Sequence, residues 1–361
     1  MVTPERITLA RKRRSLTVAE LARRLDVSAQ SVTNYERGRQ QPSTGTLRRL
    51  ALVLGFPEAF FMAPPGEEVP ETAVAFRARS KLSLGKRASA VSAGVLAVEF
   101  NTWLEETFRL PEPDLPTLDH PDPETAAEMT RARWGLGNEP IPNVIHLLEA
   151  HGVRVFSLAT EHSEVDAFSF WQASTPFVFL NTGKTPERSR FDAAHELGHL
   201  VMHAGARESR GPEAEQQANA FAGAFLMPES SVRARMPQAP LIDQILEGKQ
   251  IWRVSALALT YRLHELDMLS DWQYRSACVE LSRLGYRKGE PEGIPGETSQ
   301  LLTKVFAALR ENGKSVHDVA AELRLGSHDL SGMMFGLVVA AVSTRHQPQP
   351  SPPGRPRLTV V

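Results

Sequence analysis

The residues best suited to chemistry in this sequence are two histidines four positions apart with a glutamate beside the first, His195-Glu196-x-x-His199. On an α-helix, positions i and i+4 lie on one face about one turn apart. Zinc takes an imidazole nitrogen at about 2.0–2.1 Å, and this spacing lets both rings reach one ion. Glu196 adjoins the pair without being a ligand, so it is placed as a general base toward a water that the metal activates. Ala193, Ala194, Leu197, Leu200 and Val201 make the stretch FDAAHELGHLVMH a buried amphipathic helix. Two unpartnered histidines would be costly there. Gly198 leaves room for another element to come close.

A catalytic zinc needs three protein ligands and an open position. The longer motif with a third histidine would require glycine at 202 and histidine at 205, but the chain has Met202 and Gly205. His203 lies one turn past His199 and suits a contact behind a ligand, or the surface, better than ligation. A carboxylate is the better third ligand, and EAEQQANAFAGAFLMP offers Glu213 and Glu215. Glu215 shares a helical stripe with Asn219 and Ala222, so the spacing favours Glu215. Asn219 would orient a zinc-bound histidine through its other ring nitrogen. This E-x-x-x-N pattern resembles the E-x-x-x-D of glutamate-ligand zincins. No oxyanion donor is identified; Tyr261 and His264 are downstream donors whose ordinary reading is structural.

The elements that must hold these residues are legible in outline. Ser83 to Leu110 reads as a long helix, with shorter ones at Glu124–Trp134 and Val144–His151. VRVFSL, DAFSFW and FVFLN are strand candidates by β-branched and aromatic content and by alternation. Helices over Arg190–His203 and Glu215–Leu226 carry the candidate ligands, the second stopped at Met227-Pro228.

Residues 4–62 form a different unit. Four short helical blocks are separated by turns at Asp26-Val27-Ser28 and at Gly38, and Leu47, Leu50, Ala51 and Leu54 follow helical spacing. Two short helices joined by about three residues is the helix-turn-helix arrangement. Its second helix would present Gln30, Ser31 and Asn34 to base edges. Arg37 and Arg39, with Arg13 and Arg14, would contact phosphates. Residues 1–62 hold 11 Lys/Arg against 5 Asp/Glu, whereas the remainder holds 30 against 37. A basic first domain on an acidic body suggests that only this domain meets a polyanion.

Two family resemblances follow from these motifs. LTVAELARRLDVSAQSVTNYERGRQQPSTGTLRRLALVLG resembles the Cro/phage-repressor-like (XRE) helix-turn-helix family over about 55 residues, with Val18 where that family often has glutamine. FLN…RSRFDAAHELGHLVMH…E..QANAFAGAFLMP resembles the ImmA/IrrE family of bacterial metallopeptidases over roughly residues 140–235, with Gln217 where members often have a second glutamate. The second resemblance implies zinc-dependent peptide hydrolysis, in several members of a DNA-bound repressor.

The expected fold is α+β and mostly helical. The expected divisions are a helix-turn-helix domain (1–62), a helical linker region (63–135), a zincin-like domain with a small sheet (136–238), a C-terminal helical domain (239–345) and a disordered proline-rich tail (346–361). Ser315–Leu330 aligns without gaps to Thr17–Val32, but Met333, Met334 and Phe335 stand where base-reading residues would be. That unit suits packing or dimerisation rather than DNA.

No apolar run is long enough to cross a bilayer. The single cysteine, Cys278, reads as a packed thiol and fits a reducing cytoplasm. The expected partners are operator DNA, a second copy and a repressor substrate, and the expected cofactor is Zn2+. The alternative is a transcription factor whose zincin-like domain senses a ligand or holds structure without turnover.

Overall fold

The computed structural model describes residues 1–69, 75–78, 83–118, 122–158, 165–203 and 211–338, with the backbone alone at 75–78. The proline-rich stretch 346–361 therefore lies outside the described residues.

The N-terminal unit is built from α1 (Pro4–Arg13), α2 (Val18–Leu25), α3 (Ala29–Glu36) and α4 (Thr44–Leu54), closed by a 3-10 turn over Glu58–Met62. Local chemistry sets each boundary. Thr17 and Glu20 make a capping box at the start of α2, and Asp26 ends it in the left-handed region at φ 55°. Ser28 and Ser43 cap α3 and α4 through Ser31 and Thr46 N–H. Gly55, at φ +68°, ends α4. Leu21, Leu25, Val32, Leu50 and Leu54 form the fully buried centre.

The long α5 (Leu84–Thr107) joins this unit to the rest. Its small residues allow close approach on both sides. Ser89 Oγ donates to the carbonyl of Arg13 at 2.5 Å. A Cβ on Gly94 would sit 3.2 Å from the Phe170 ring, so α5 lies nearly against the sheet.

That sheet has four strands, β1 (Ala75–Ala78), β2 (Arg154–Ser157), β3 (Val165–Gln172) and β4 (Thr175–Leu180), in the order β1-β3-β4-β2. β3 and β4 form an antiparallel hairpin, β1 joins β3 antiparallel, and β2 joins β4 parallel. Phe168 opposes Phe179 and Phe170 opposes Phe177, with ring centroids 4.4 and 5.2 Å apart. These cross-strand aromatic pairs fix the register. β1 falls within 63–135, the stretch expected as a helical linker region, where no strand was expected. Four residues are too few to show a period, and the strand forms because β3 offers an open edge.

α8 (Pro186–Met202) packs on β3 and β4, and α9 (Pro212–Leu226) crosses α8. A Cβ on Gly198 would meet Phe221 at 3.0–3.2 Å, so glycine is what permits the crossing. α6 (Pro123–Arg133) and α7 (Val144–Ala150) cover the outer side. The chain continues through α10 (Glu229–Arg235), α11 (Ile242–Trp252), α12 (Ala256–Glu265), α13 (Asp271–Arg283) and α14 (Gln300–Glu311). Glu149 of α7 accepts the Gln300 and Leu301 N–H groups at 2.9 Å each, serving as a distant cap for α14. Cys278, on α13, is half-buried and free.

α15 (Val316–Glu322) and α16 (Ser327–Met334) form the second helix pair. Val319, Ala320, Leu325 and Leu330 are buried, as their alignment to the first unit suggests. α16 packs on β2, and Asp329 at its start takes both Nη atoms of Arg14 at 2.7 Å and Arg13 Nε at 3.3 Å. This corrects the phosphate reading of Arg13 and Arg14. Arg13 is buried, Arg14 also donates to the Leu54 carbonyl, and both charges are met from within the chain.

Candidate metal centre and nucleic-acid surface

His195 and Glu196 are fully buried on α8, and His199 is nearly so. Glu215 comes from the first turn of α9 and remains about one-third exposed. The helix crossing at Gly198 brings these side chains together. His195 Nε2 and His199 Nε2 are 3.1 Å apart. Glu215 Oε1 lies 3.3 Å from His199 Nε2, and Oε2 lies 3.5 Å from His195 Nε2. Four-coordinate zinc with bonds of about 2.0–2.1 Å places neighbouring ligand atoms about 3.3–3.4 Å apart. The observed triangle of 3.1, 3.3 and 3.5 Å matches that spacing. His195, His199 and Glu215 thus fit one zinc ion.

The atoms behind the ligands point the same way. His195 Nδ1 lies 3.1 Å from Asn219 Oδ1, an acceptor, so Nδ1 carries the ring proton and Nε2 faces inward with its lone pair. His199 Nδ1 lies 3.1 Å from His203 Nδ1, and His203 Nε2 lies 2.9 Å from Gln217 Oε1. Gln217 accepts from the Nε2–H of His203, His203 Nδ1 accepts from His199, and His199 Nε2 is left facing the triangle. Two inward lone pairs and a carboxylate at these distances repel one another unless a cation lies between them.

The structure brings together His195, His199, Glu215 and Asn219 and leaves Glu213 exposed, 3.5 Å from Gln217 Nε2. His203 takes the position behind a ligand, not the surface. Gln217, where the resembled family often has glutamate, fixes His203. Ser169 is a site residue that sequence reasoning missed. Its Oγ donates to Glu196 Oε2 at 2.6 Å from β3. The only signal for it was a hydroxyl between Phe168 and Phe170 in an otherwise apolar strand.

Glu215 and Asn219 open into a cavity of about 860 Å³. Tyr261 of α12 lines it, whereas His264 is turned to Asp271 at 2.8 Å and to the Tyr274 ring. Lys184 sits at the cavity wall between Asp166 and Asp192, at 2.6 and 2.5 Å.

On α3, Gln30 is exposed and its Nε2 donates to Asn34 Oδ1 at 3.0 Å. Ser31 Oγ is 2.8 Å from Ser28 Oγ, and Arg37 and Arg39 are exposed just past the helix. Arg11 is held by Glu36 through two bonds of 2.6 and 2.9 Å, which ties α1 to α3. The polar face of α3 is therefore open, mounted on a fixed support.

Residues 148–264 match the peptidase family described as the IrrE N-terminal-like domain. Residues 7–61 match the helix-turn-helix family. The chain joins a helix-turn-helix domain to an IrrE-like domain, and His195, Glu196, His199, Glu215 and Asn219 all fall within the latter match. No curated protein matches the chain. The IrrE-like match begins before β2 and ends within α12, so it includes Tyr261 and stops short of the last four helices.

Proposed function

We propose that this chain is a DNA-binding transcriptional regulator whose IrrE-like domain is a zinc-dependent endopeptidase acting on a partner repressor, or regulating its own operon. The observation that carries this reading is the His195–His199–Glu215 triangle, which has zinc spacing and opens through Glu215 into a cavity large enough for a peptide segment.

When bound, zinc supplies a Lewis acid that polarises a peptide carbonyl and acidifies water. Asn219 and the His203–Gln217 pair hold the two imidazoles in the tautomer and rotation that ligation needs. The Ser169 hydroxyl holds one oxygen of the Glu196 carboxylate, the residue next to His195 in the chain. Glu196 accepts a proton from the attacking water and returns it to the leaving amine. Apolar burial around α8 keeps bulk water from this carboxylate.

The helix-turn-helix domain places that activity at DNA. Gln30, Ser31 and Asn34 read base edges, and Arg37 and Arg39 meet phosphates. Two copies bind paired half-sites about one helical turn apart. No helix among the described residues is long and apolar enough to cross a membrane. The single cysteine and the DNA partner suit a cytoplasmic protein.

The complete burial of Glu196, which does not line the cavity, favours a second reading, in which the zinc domain senses or stabilises without turnover. One comparison separates the two. Zinc-loaded wild type and Glu196→Gln are incubated with purified repressors encoded near this gene. The peptidase reading expects cleavage by the wild type alone. Cleavage by neither supports the sensor.

A further inference from the structure

The cavity beside the metal triangle has charged side chains of two kinds. Lys184 is met by Asp166 and Asp192, and Arg262 by Glu124 and Glu265. Arg188 and Arg287 line the same cavity, and among the described residues no carboxylate lies within ion-pair distance of either guanidinium.

Their placement is built. Arg188 lies on α8 seven residues before His195, so the two share a face about 10 Å apart along the axis. Arg188 Nη2 donates to the carbonyl of Arg287 at 2.7 Å, which draws the segment after α13 to this wall. That segment is anchored further on. Buried Glu187 accepts the Ile294 N–H at 2.6 Å, and Lys249 holds Glu290 at 3.0 Å. Phe191, Met227 and Leu257 give the cavity an apolar surface beside the two cations.

We infer that Arg188 and Arg287 form a subsite for the carboxylate of an acidic residue in the peptide substrate. This rests on the peptidase reading above. An extended peptide rises about 3.3 Å per residue, so a side chain at Arg188 belongs about three residues from the bond at the triangle. Guanidinium groups bind carboxylates through paired, charge-assisted hydrogen bonds. Arg287 lies outside residues 148–264, so this preference depends on the C-terminal region of this chain.

The test uses the full chain, zinc-loaded and bearing Glu196→Gln, so that binding is read without hydrolysis. The probes are labelled nine-residue peptides of alanine and leucine, acetylated and amidated, with one Glu, Gln or Lys at each position in turn. Fluorescence anisotropy is expected to show Glu at one position binding about tenfold more tightly than Gln. Arg287→Glu, an exposed substitution, is expected to abolish that preference, and Arg188→Glu/Arg287→Glu to shift it to Lys. Equal binding of Glu and Gln at every position overturns the subsite. So does absence of binding by all peptides, or a Glu preference that survives the double substitution. Cleavage of the same peptides by the unsubstituted chain is scored separately. Hydrolysis without acid preference overturns the subsite and leaves the peptidase reading standing. Acid-selective binding with no hydrolysis does the reverse.

Discussion

Asp329→Asn is the substitution whose consequence is most fully set by geometry. The Asp329 carboxylate is 1% exposed, accepts two hydrogen bonds from Arg14 at 2.7 Å each and forms an ion pair with Arg13, whose Nε lies 3.3 Å away. Asparagine keeps the shape but removes the charge and turns an amide NH2 toward a guanidinium. Removing one partner of a buried ion pair costs about 3–5 kcal/mol. The lower end applies here. Arg14 is 17% exposed and can recover water, and it keeps the Leu54 carbonyl and the Phe56 ring. Arg13, 3% exposed, cannot recover water in this way. A loss of about 3 kcal/mol corresponds to roughly a hundredfold faster amide exchange through local opening. Hydrogen–deuterium exchange of peptides covering α1 and α16 reads it directly. DNA binding supplies the second half of the test. Each phosphate contact adds about 0.9 to the slope of log K against log salt. Because Arg14 is committed to Asp329, Arg14→Ala is expected to leave that slope unchanged. Unaltered exchange in Asp329→Asn, or a slope reduced by about 0.9 in Arg14→Ala, would refute the reasoning.

Further outcomes follow from the same contacts. Asn219→Ala leaves His195 Nδ1 without its acceptor, and zinc affinity measured by chelator competition is expected to fall about 10–100-fold; a change under about twofold contradicts the assigned role. Gly198→Ala sets a methyl 3.0–3.2 Å from Phe221, including its Cβ, which cannot swing aside. Overpacking of about 1–3 kcal/mol is expected to exceed the gain in helix propensity of about 1 kcal/mol, lowering the melting temperature. Burial raises the Glu149 carboxyl above its ordinary value despite its bonds to Ser299, Leu301 and Gln300. Because the folded value is raised, its contribution to stability is complete below the ordinary glutamate pKa and is lost as pH climbs through the folded value. Glu149→Gln should therefore show a smaller fall in melting temperature than wild type between pH 5 and pH 7.5, and an equal fall counts against it. Asn34→Ala is expected to relax base preference by about 1–3 kcal/mol at one operator position without changing the salt slope, whereas Arg39→Ala lowers the slope.

What the sequence made legible was local. His195, Glu196 and His199 sit in one helical turn, and Glu215 and Asn219 share a stripe, so periodicity alone grouped them. What stayed hidden depends on elements meeting. Ser169 reaches Glu196 across a strand–helix contact 27 residues away, and Asp329 reaches Arg14 across 315. A basic cluster such as Arg11 to Arg14 looks like a phosphate surface until the fold shows which of its members are buried. β1 escaped because four residues carry no period, and its pairing is decided by the free edge of β3.

The claim on which the rest depends is that His195, His199 and Glu215 close on one zinc ion. Zinc content per chain, measured after dialysis against a weak chelator, tests it most directly when wild type is set beside Glu215→Ala and Glu213→Ala. Close to one zinc per chain is expected in wild type and Glu213→Ala, with loss in Glu215→Ala. A metal-free wild type, or a Glu215→Ala chain that keeps its zinc, would contradict the account.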